Sequence, residues 1–175
     1  MKHAVLVLCI LGIVGCGTNY EDIANLNNSN SAIVCFGDSL TKGYGVREGD
    51  DYPSVLASII DEPIINAGKS GDTSAQGLMR IQKDVLSYTP RIVVVEFSGN
   101  DLMQKIPKEE TRANFKKIIE HCTQSGSMVV LVHCKMGILM SDPYLDMFRE
   151  LAEEHHVLLI EDTLDDIFGS PSHMS

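Results

Sequence analysis

Short β-branched runs alternate with stretches of helical period along most of this chain. Residues 32–36, 63–66, 91–97, 128–132 and 157–160 read as strands, and residues 52–60, 73–87, 108–124 and 142–155 as the helices between them. One more short helix is expected over 162–168. The run Ile92-Val93-Val94-Val95 is continuous and β-branched, the pattern of a central parallel strand covered on both faces. The helix at 108–124 sets Phe115, Ile118, Ile119 and Cys122 on one side, and the helix at 142–155 does the same with Phe148, Leu151, Ala152 and His155. Such stripes are core. His155 and His156 close their helix where polar or cationic side chains suit the free carbonyls, which gives them a structural place.

Strands alternating with helices imply right-handed crossovers and an α/β fold: a three-layer α/β/α sandwich around a five-stranded parallel sheet. In such sheets the chemistry gathers at the carboxyl ends of the strands. The loops there should therefore hold the unusual polar and glycine residues, and they do. Gly37-Asp38-Ser39 follows the first strand, Gly68-Lys69-Ser70-Gly71-Asp72 the second and Ser98-Gly99-Asn100-Asp101 the third.

The 175 residues and 44% hydrophobic content fit one domain with a sizeable core. A formal charge of −10 removes the usual electrostatic basis for nucleic-acid binding, so no nucleic-acid partner is expected. The amino-terminal end changes the picture more. Lys2 and His3 precede an apolar stretch over 4–15, too short to span a bilayer and right for a signal-peptide core. Ile13-Val14-Gly15-Cys16 closes it and resembles the bacterial lipobox, which implies lipidation of Cys16 after cleavage. A simple secretory signal and a buried strand are the alternatives. The division expected is a signal peptide at 1–15, a lipidated Cys16 with an Asn- and Ser-rich tether at 16–31, and a domain at 32–175. That places the protein at the bacterial cell envelope, facing away from the cytoplasm, with the membrane as a partner through Cys16.

Cys35, Cys122 and Cys134 then remain, an odd number without metal-like spacing. Cys35 and Cys122 fall in apolar patterns and read as small buried hydrophobes. His133-Cys134 is a lone pair after a strand, weak support for a metal or thiol site.

A serine hydroxyl attacks only when a base takes its proton and donors meet the oxyanion that forms. Ser39 is the candidate nucleophile. Gly71 lets a backbone N–H come close to a tetrahedral intermediate, and Asn100 offers a side-chain N–H beside the N–H of Ser39. Gly-Asp-Ser and Gly-Asn-Asp are each common turns alone. In order, after successive strands, they are far more specific. The chain has no G-x-S-x-G, G-x-x-x-x-G-K-[ST] or G-x-G-x-x-G, so the usual nucleophile elbow and nucleotide loops are excluded.

FGDSLTKGYGV, INAGKSGDTSAQGL and VEFSGNDL resemble the first three blocks of the SGNH or GDSL hydrolases, closest to their thioesterase, lysophospholipase and arylesterase branch. The resemblance runs from Ala32 onward and implies a flavodoxin-like SGNH fold, acyl ester or thioester substrates and no cofactor or metal. It implies Ser39 as nucleophile, with the Ser39 N–H, the Gly71 N–H and the Asn100 side chain as the oxyanion hole, and makes Asp38 a turn-shaping residue. The family's fourth block, Asp-x-x-His before Pro, supplies the base and its orienting acid. Here the sequence reads Asp166-Ile167-Phe168-Gly169-Ser170-Pro171-Ser172-His173-Met174-Ser175. Either His173 is the base with Ser170 in the acid's place, or Pro171 to Ser175 corresponds to the stretch before that block. The second alignment is favoured and carries the expectation of impaired turnover. The expected function is thus a serine ester hydrolase. A tethered acyl- or glycan-binding lipoprotein without turnover is the alternative, and a redox or metal protein built on His133 and Cys134 comes third.

Overall fold

Parallel pairing of β-branched strands builds the centre of the protein. The computed structural model describes residues 22–135, 142 and 144–161. The strands are β1 (Ala32–Gly37), β2 (Ile64–Gly68), β3 (Pro90–Glu96), β4 (Met128–Val132) and β5 (Leu158–Ile160), in the order β2-β1-β3-β4-β5 and all parallel. The helices are α1 (Ser39–Lys42), α2 (Tyr52–Ile60), α3 (Ser74–Asp84), α4 (Gly99–Met103), α5 (Lys108–Gln124) and α6 (Leu145–His155). The chain steps from β1 out to β2 and then back past β1 to β3, so the connections diverge above the β1/β3 pair. That is a topological switch point, where open α/β sheets bind their ligands. Register brings the critical positions level: Gly37 pairs with Gly68 on one side and Glu96 on the other.

Alternate side chains of the strands feed two cores. Val34, Phe36, Val93, Val95, Val129 and Leu131 meet Ile81 of α3, the α5 stripe and Met147, Phe148 and Leu151 of α6. Phe115, Ile118, Ile119 and Cys122 are fully buried, as their spacing predicts, each apolar side chain contributing about 2 kcal/mol. Edge-to-face contacts link Phe36, Phe97, Phe115 and Phe148 across this layer, with ring centroids 4.8–6.5 Å apart. On the opposite face Ile33, Ile92, Met128, Val130 and Leu158 pack with Ile60 of α2. The sandwich expected from the pattern is the fold observed.

Local boundaries differ where side chains compete with the repeat. The helix expected over 73–87 ends at Asp84 and passes through Val85 into a 3₁₀ turn, Leu86–Tyr88, closed by Thr89 in the left-handed region at φ 49°. The helix expected from 142 starts at Leu145, because Asp142 Oδ1 accepts the N–H groups of Tyr144 and Leu145 and holds the entry outside the helix. His156 caps α6 at φ 53°, a structural role of the kind its place predicts.

The Asn-rich stretch assigned to a tether behaves differently from Asp22 onward. Ile23 is buried against the second core, and Asn25 Nδ2 donates to the carbonyls of Thr123 and Ser127. Asn28 Nδ2 donates to the Arg91 carbonyl. Asparagine amides serve here as donors to free carbonyls below the sheet, which composition alone does not distinguish from a solvated linker. Cys16, the segment at 1–15, the helix expected over 162–168 and His173 lie outside the described residues. Among the described residues no helix is long and apolar enough to cross a membrane.

Candidate active site

Ser39 opens α1 directly above the end of β1. It is half-buried, and its hydroxyl donates to Asp38 Oδ1 at 3.4 Å. Among the described residues it meets no imidazole. Asp38, 3% exposed, caps α1 by accepting the Leu40 N–H at 3.0 Å. The turn is tight enough to need glycine before it: a Cβ on Gly37 would stand 2.0 Å from Thr41 Oγ1 and 2.4 Å from the Glu96 carbonyl.

Asn100, on α4 after β3, is 8% exposed and spends both amide hydrogens inside the protein. One goes to Asp38 Oδ2 at 3.0 Å and the other to the Asp72 carbonyl at 2.9 Å. A single side chain therefore ties together the loops after β1, β2 and β3. Gly71 precedes Asp72 with φ +85°, where an L side chain is strained, and a Cβ there would meet nothing within 4 Å. Its backbone borders open space next to Asn100's acceptor. The structure brings Ser39, Gly71 and Asn100 to one edge of the sheet, while Cys16 lies outside the described residues.

Sequence reasoning missed the groups that hold this arrangement. Arg80 of α3 donates from Nε to Asp72 Oδ2 at 2.6 Å, from one Nη to the Ala67 carbonyl at 2.8 Å and from the other to the Gly37 carbonyl at 3.0 Å. Its guanidinium lies 4.6 Å from the Phe36 ring centroid. The available signal was a charge lying one turn on from Gly77 and next to Ile81, both buried positions of α3. Asp101, fully buried beside Asn100, accepts from the Ser74 N–H and from the Ser74 and Thr111 hydroxyls, fastening α4 to α3 and α5. Ser98 enters α4 at φ 113°, a strained value for a residue with a side chain.

Below the serine turn, Glu96 is 3% exposed and accepts from Thr41 Oγ1 at 2.9 Å, and Thr41 also shares a hydrogen bond with the Tyr52 hydroxyl. Burial, and then the nearby Asp38 charge, push the Glu96 carboxyl up to about 7. Burial raises Asp38 as well, against the lowering effect of its bonds to Leu40 and Ser39. Burial lifts the Cys35 and Cys122 thiols to about 12, which keeps them protonated and inert. His133, 1% exposed, places Nε2 2.7 Å from Asp142 Oδ2. Among the described residues no three His, Cys, Asp or Glu side chains could together hold a metal ion.

Residues 35–171 match the model of the GDSL-like Lipase/Acylhydrolase family. An arylesterase of Vibrio mimicus is 29% identical over 157 residues, covering 85% of this chain and 78% of the relative. A thioesterase 1/protease 1/lysophospholipase L1 of Escherichia coli is 26% identical, with 81% and 71% covered. An uncharacterized lipoprotein of Bacillus subtilis, YqeF, is 29% identical, with 77% of this chain and 57% of that protein covered. Among solved structures, AlinE4, described as an SGNH-hydrolase family esterase, superposes with a TM-score of 0.74 at 31% identity, over 85% of this chain and 84% of its own.

Proposed function

The chain belongs to the GDSL-like lipase/acylhydrolase family, an SGNH-type carboxylic ester hydrolase by descent, and from that premise we propose that Ser39 is its nucleophile. The observation that carries this is the pair of bonds from Asn100 to Asp38 and to the Asp72 carbonyl, which gathers the three motif loops around one half-buried serine.

In this reading Ser39 Oγ attacks the carbonyl carbon of an acyl ester or thioester as its proton passes to a base. The oxyanion meets the N–H groups of Ser39 and Gly71 and the Asn100 amide, each donor worth about 3 kcal/mol in the transition state. Both Asn100 hydrogens already have acceptors, so the oxyanion shares one of them, and the neutral Asp72 carbonyl is the weaker competitor. The tetrahedral intermediate then expels a protonated alcohol or thiol and leaves an acyl-Ser39 ester, which water cleaves in a second round. The resemblance assigns the base to an Asp-x-x-His block, and His173 lies outside the described residues. The activities for which the Vibrio mimicus and Escherichia coli relatives are named make small acyl esters and thioesters the substrates to try first.

Treatment with a fluorophosphonate probe, followed by peptide mapping, tests the assignment. Labelling confined to Ser39, with p-nitrophenyl acetate turnover abolished by Ser39→Ala, supports it. Turnover that survives Ser39→Ala overturns it. Acyl-ligand binding without labelling or turnover would instead support the non-catalytic alternative, since the partner of the Ser39 hydroxyl among the described residues is the Asp38 carboxylate.

We also propose that Cys16 carries a lipid and fixes the protein to the bacterial envelope. The lipobox-like Ile13-Val14-Gly15-Cys16 and the Bacillus subtilis relative described as a lipoprotein support this. Metabolic labelling with an alkyne fatty acid should mark the protein and fail with Cys16→Ser.

A further inference from the structure

The described chain enters the domain at the edge of the sheet opposite Ser39. The Ala24 N–H donates to the His156 carbonyl just before β5, at 2.8 Å. Asn25 serves the Thr123 and Ser127 carbonyls just before β4, and Asn28 and Asn30 serve Arg91 and Pro90 at the start of β3. The segment thus crosses under β5, β4 and β3 in turn before rising as β1, always at their amino ends. Ser39, Gly71 and Asn100 all follow carboxyl ends.

The distances make this placement consequential. A strand of six residues such as β1 covers about 20 Å, and the turns above and below it bring the two edges of the domain roughly 30 Å apart. Cys16 lies six positions before Asp22, so it reaches at most about 21 Å from it when fully extended. For Ser39 to face the bilayer that holds Cys16 with the strands upright on it, the amino edge would have to stand farther from that bilayer than this tether allows. Lengthening the tether by peeling away residues 23–28 would expose Ile23 and Leu26 and strip the Thr123, Ser127 and Arg91 carbonyls of their donors. A net charge of −10 adds no attraction toward an anionic lipid surface.

We propose that the Ser39 edge faces away from the membrane that anchors the protein, and that its substrates are acyl esters or thioesters presented from the aqueous side rather than the lipids of that membrane. This rests on the lipidation of Cys16 and on the Ser39 assignment proposed above.

Energy transfer to the membrane measures the orientation without requiring turnover. The lipidated full chain is placed in vesicles containing acceptor-dye lipids, with a donor dye on Asn27→Cys at the amino edge or on Met103→Cys at the Ser39 edge. Both positions are exposed, while Cys35, Cys122 and Cys134 are buried and escape labelling. Transfer from position 27 should exceed that from position 103 several-fold, and a long Gly/Ser insertion after Gly17 should bring the two closer together. Equal or reversed transfer without the insertion overturns the orientation. Failure of the anchor has its own signature: the wild type does not bind vesicles, or Cys16→Ser binds as well as the wild type, and the proposal falls with it. Failure of the Ser39 assignment is read separately, by the absence of fluorophosphonate labelling.

Discussion

Asn100 Nδ2 lies 3.0 Å from Asp38 Oδ2, so the residue before the serine and the amide two loops away are set by one bond. Asp38 therefore does more than shape a turn: one carboxylate oxygen caps α1 and the other orients Asn100.

Asp38→Ala should lower the unfolding free energy by about 2 kcal/mol, from a lost helix cap and an amide hydrogen left without its acceptor. Urea unfolding monitored by circular dichroism measures it. Asp38→Asn, which retains an oxygen for the Leu40 N–H, should lose less.

Glu96 gives a pH dependence whose sign follows from its burial. Its carboxyl sits at about 7 in the folded protein against 4.5 for an ordinary glutamate, so between those values the folded chain holds a proton that the unfolded chain has released. The resulting stability is fully present below about 4.5 and is lost as pH rises through about 7. Glu96→Gln should remove this component. The difference in unfolding free energy between variant and wild type should shift in favour of the variant by on the order of 2–3 kcal/mol from pH 4.5 to pH 8. A difference that stays constant across that range would contradict the assignment.

Arg80→Ala should be the most damaging single change outside the motifs. It leaves Asp72, 3% exposed, without its 2.6 Å partner and removes donors from the Ala67 and Gly37 carbonyls, with an expected loss of about 3–5 kcal/mol. Arg80→Lys should recover only part of this, because one ammonium cannot span a carboxylate and two carbonyls as a planar fork does. Thermal unfolding of both variants beside the wild type decides it.

Ser98→Gly should stabilise the fold. At φ 113° the serine pays a backbone cost of about 1–3 kcal/mol that glycine avoids, offset in part by the greater freedom of glycine in the unfolded chain. A net gain of about 1 kcal/mol in urea unfolding is expected, and a loss would show that the serine side chain earns its place by contacts.

Residues 92–95 and the stripe Phe115, Ile118, Ile119, Cys122 could be read for strand and core from the sequence because burial acts locally, through a period of two or of three to four. Tertiary contacts were not legible in the same way. The asparagines at 25 and 28 look like linker composition until the carbonyls of Thr123, Ser127 and Arg91 arrive from far along the chain. Arg80 looks like an ordinary helix residue until the Asp72 carboxylate and the Ala67 and Gly37 carbonyls arrive around it from outside its own helix.

The sequence by itself determined the sheet-and-helix alternation, the polar, glycine-bearing loops at the carboxyl ends of the strands and Ser39, Gly71 and Asn100 as the positions to watch, since each depends on residue type and order. Only the tertiary structure decided how those positions are held. Asn100 commits both amide hydrogens to Asp38 and Asp72, Arg80 clamps the second loop, and Glu96 lies protonatable beneath the serine turn. These are relations between groups that meet only when parallel strands align their ends, and a hydrogen bond across sixty residues leaves no periodic trace in the chain.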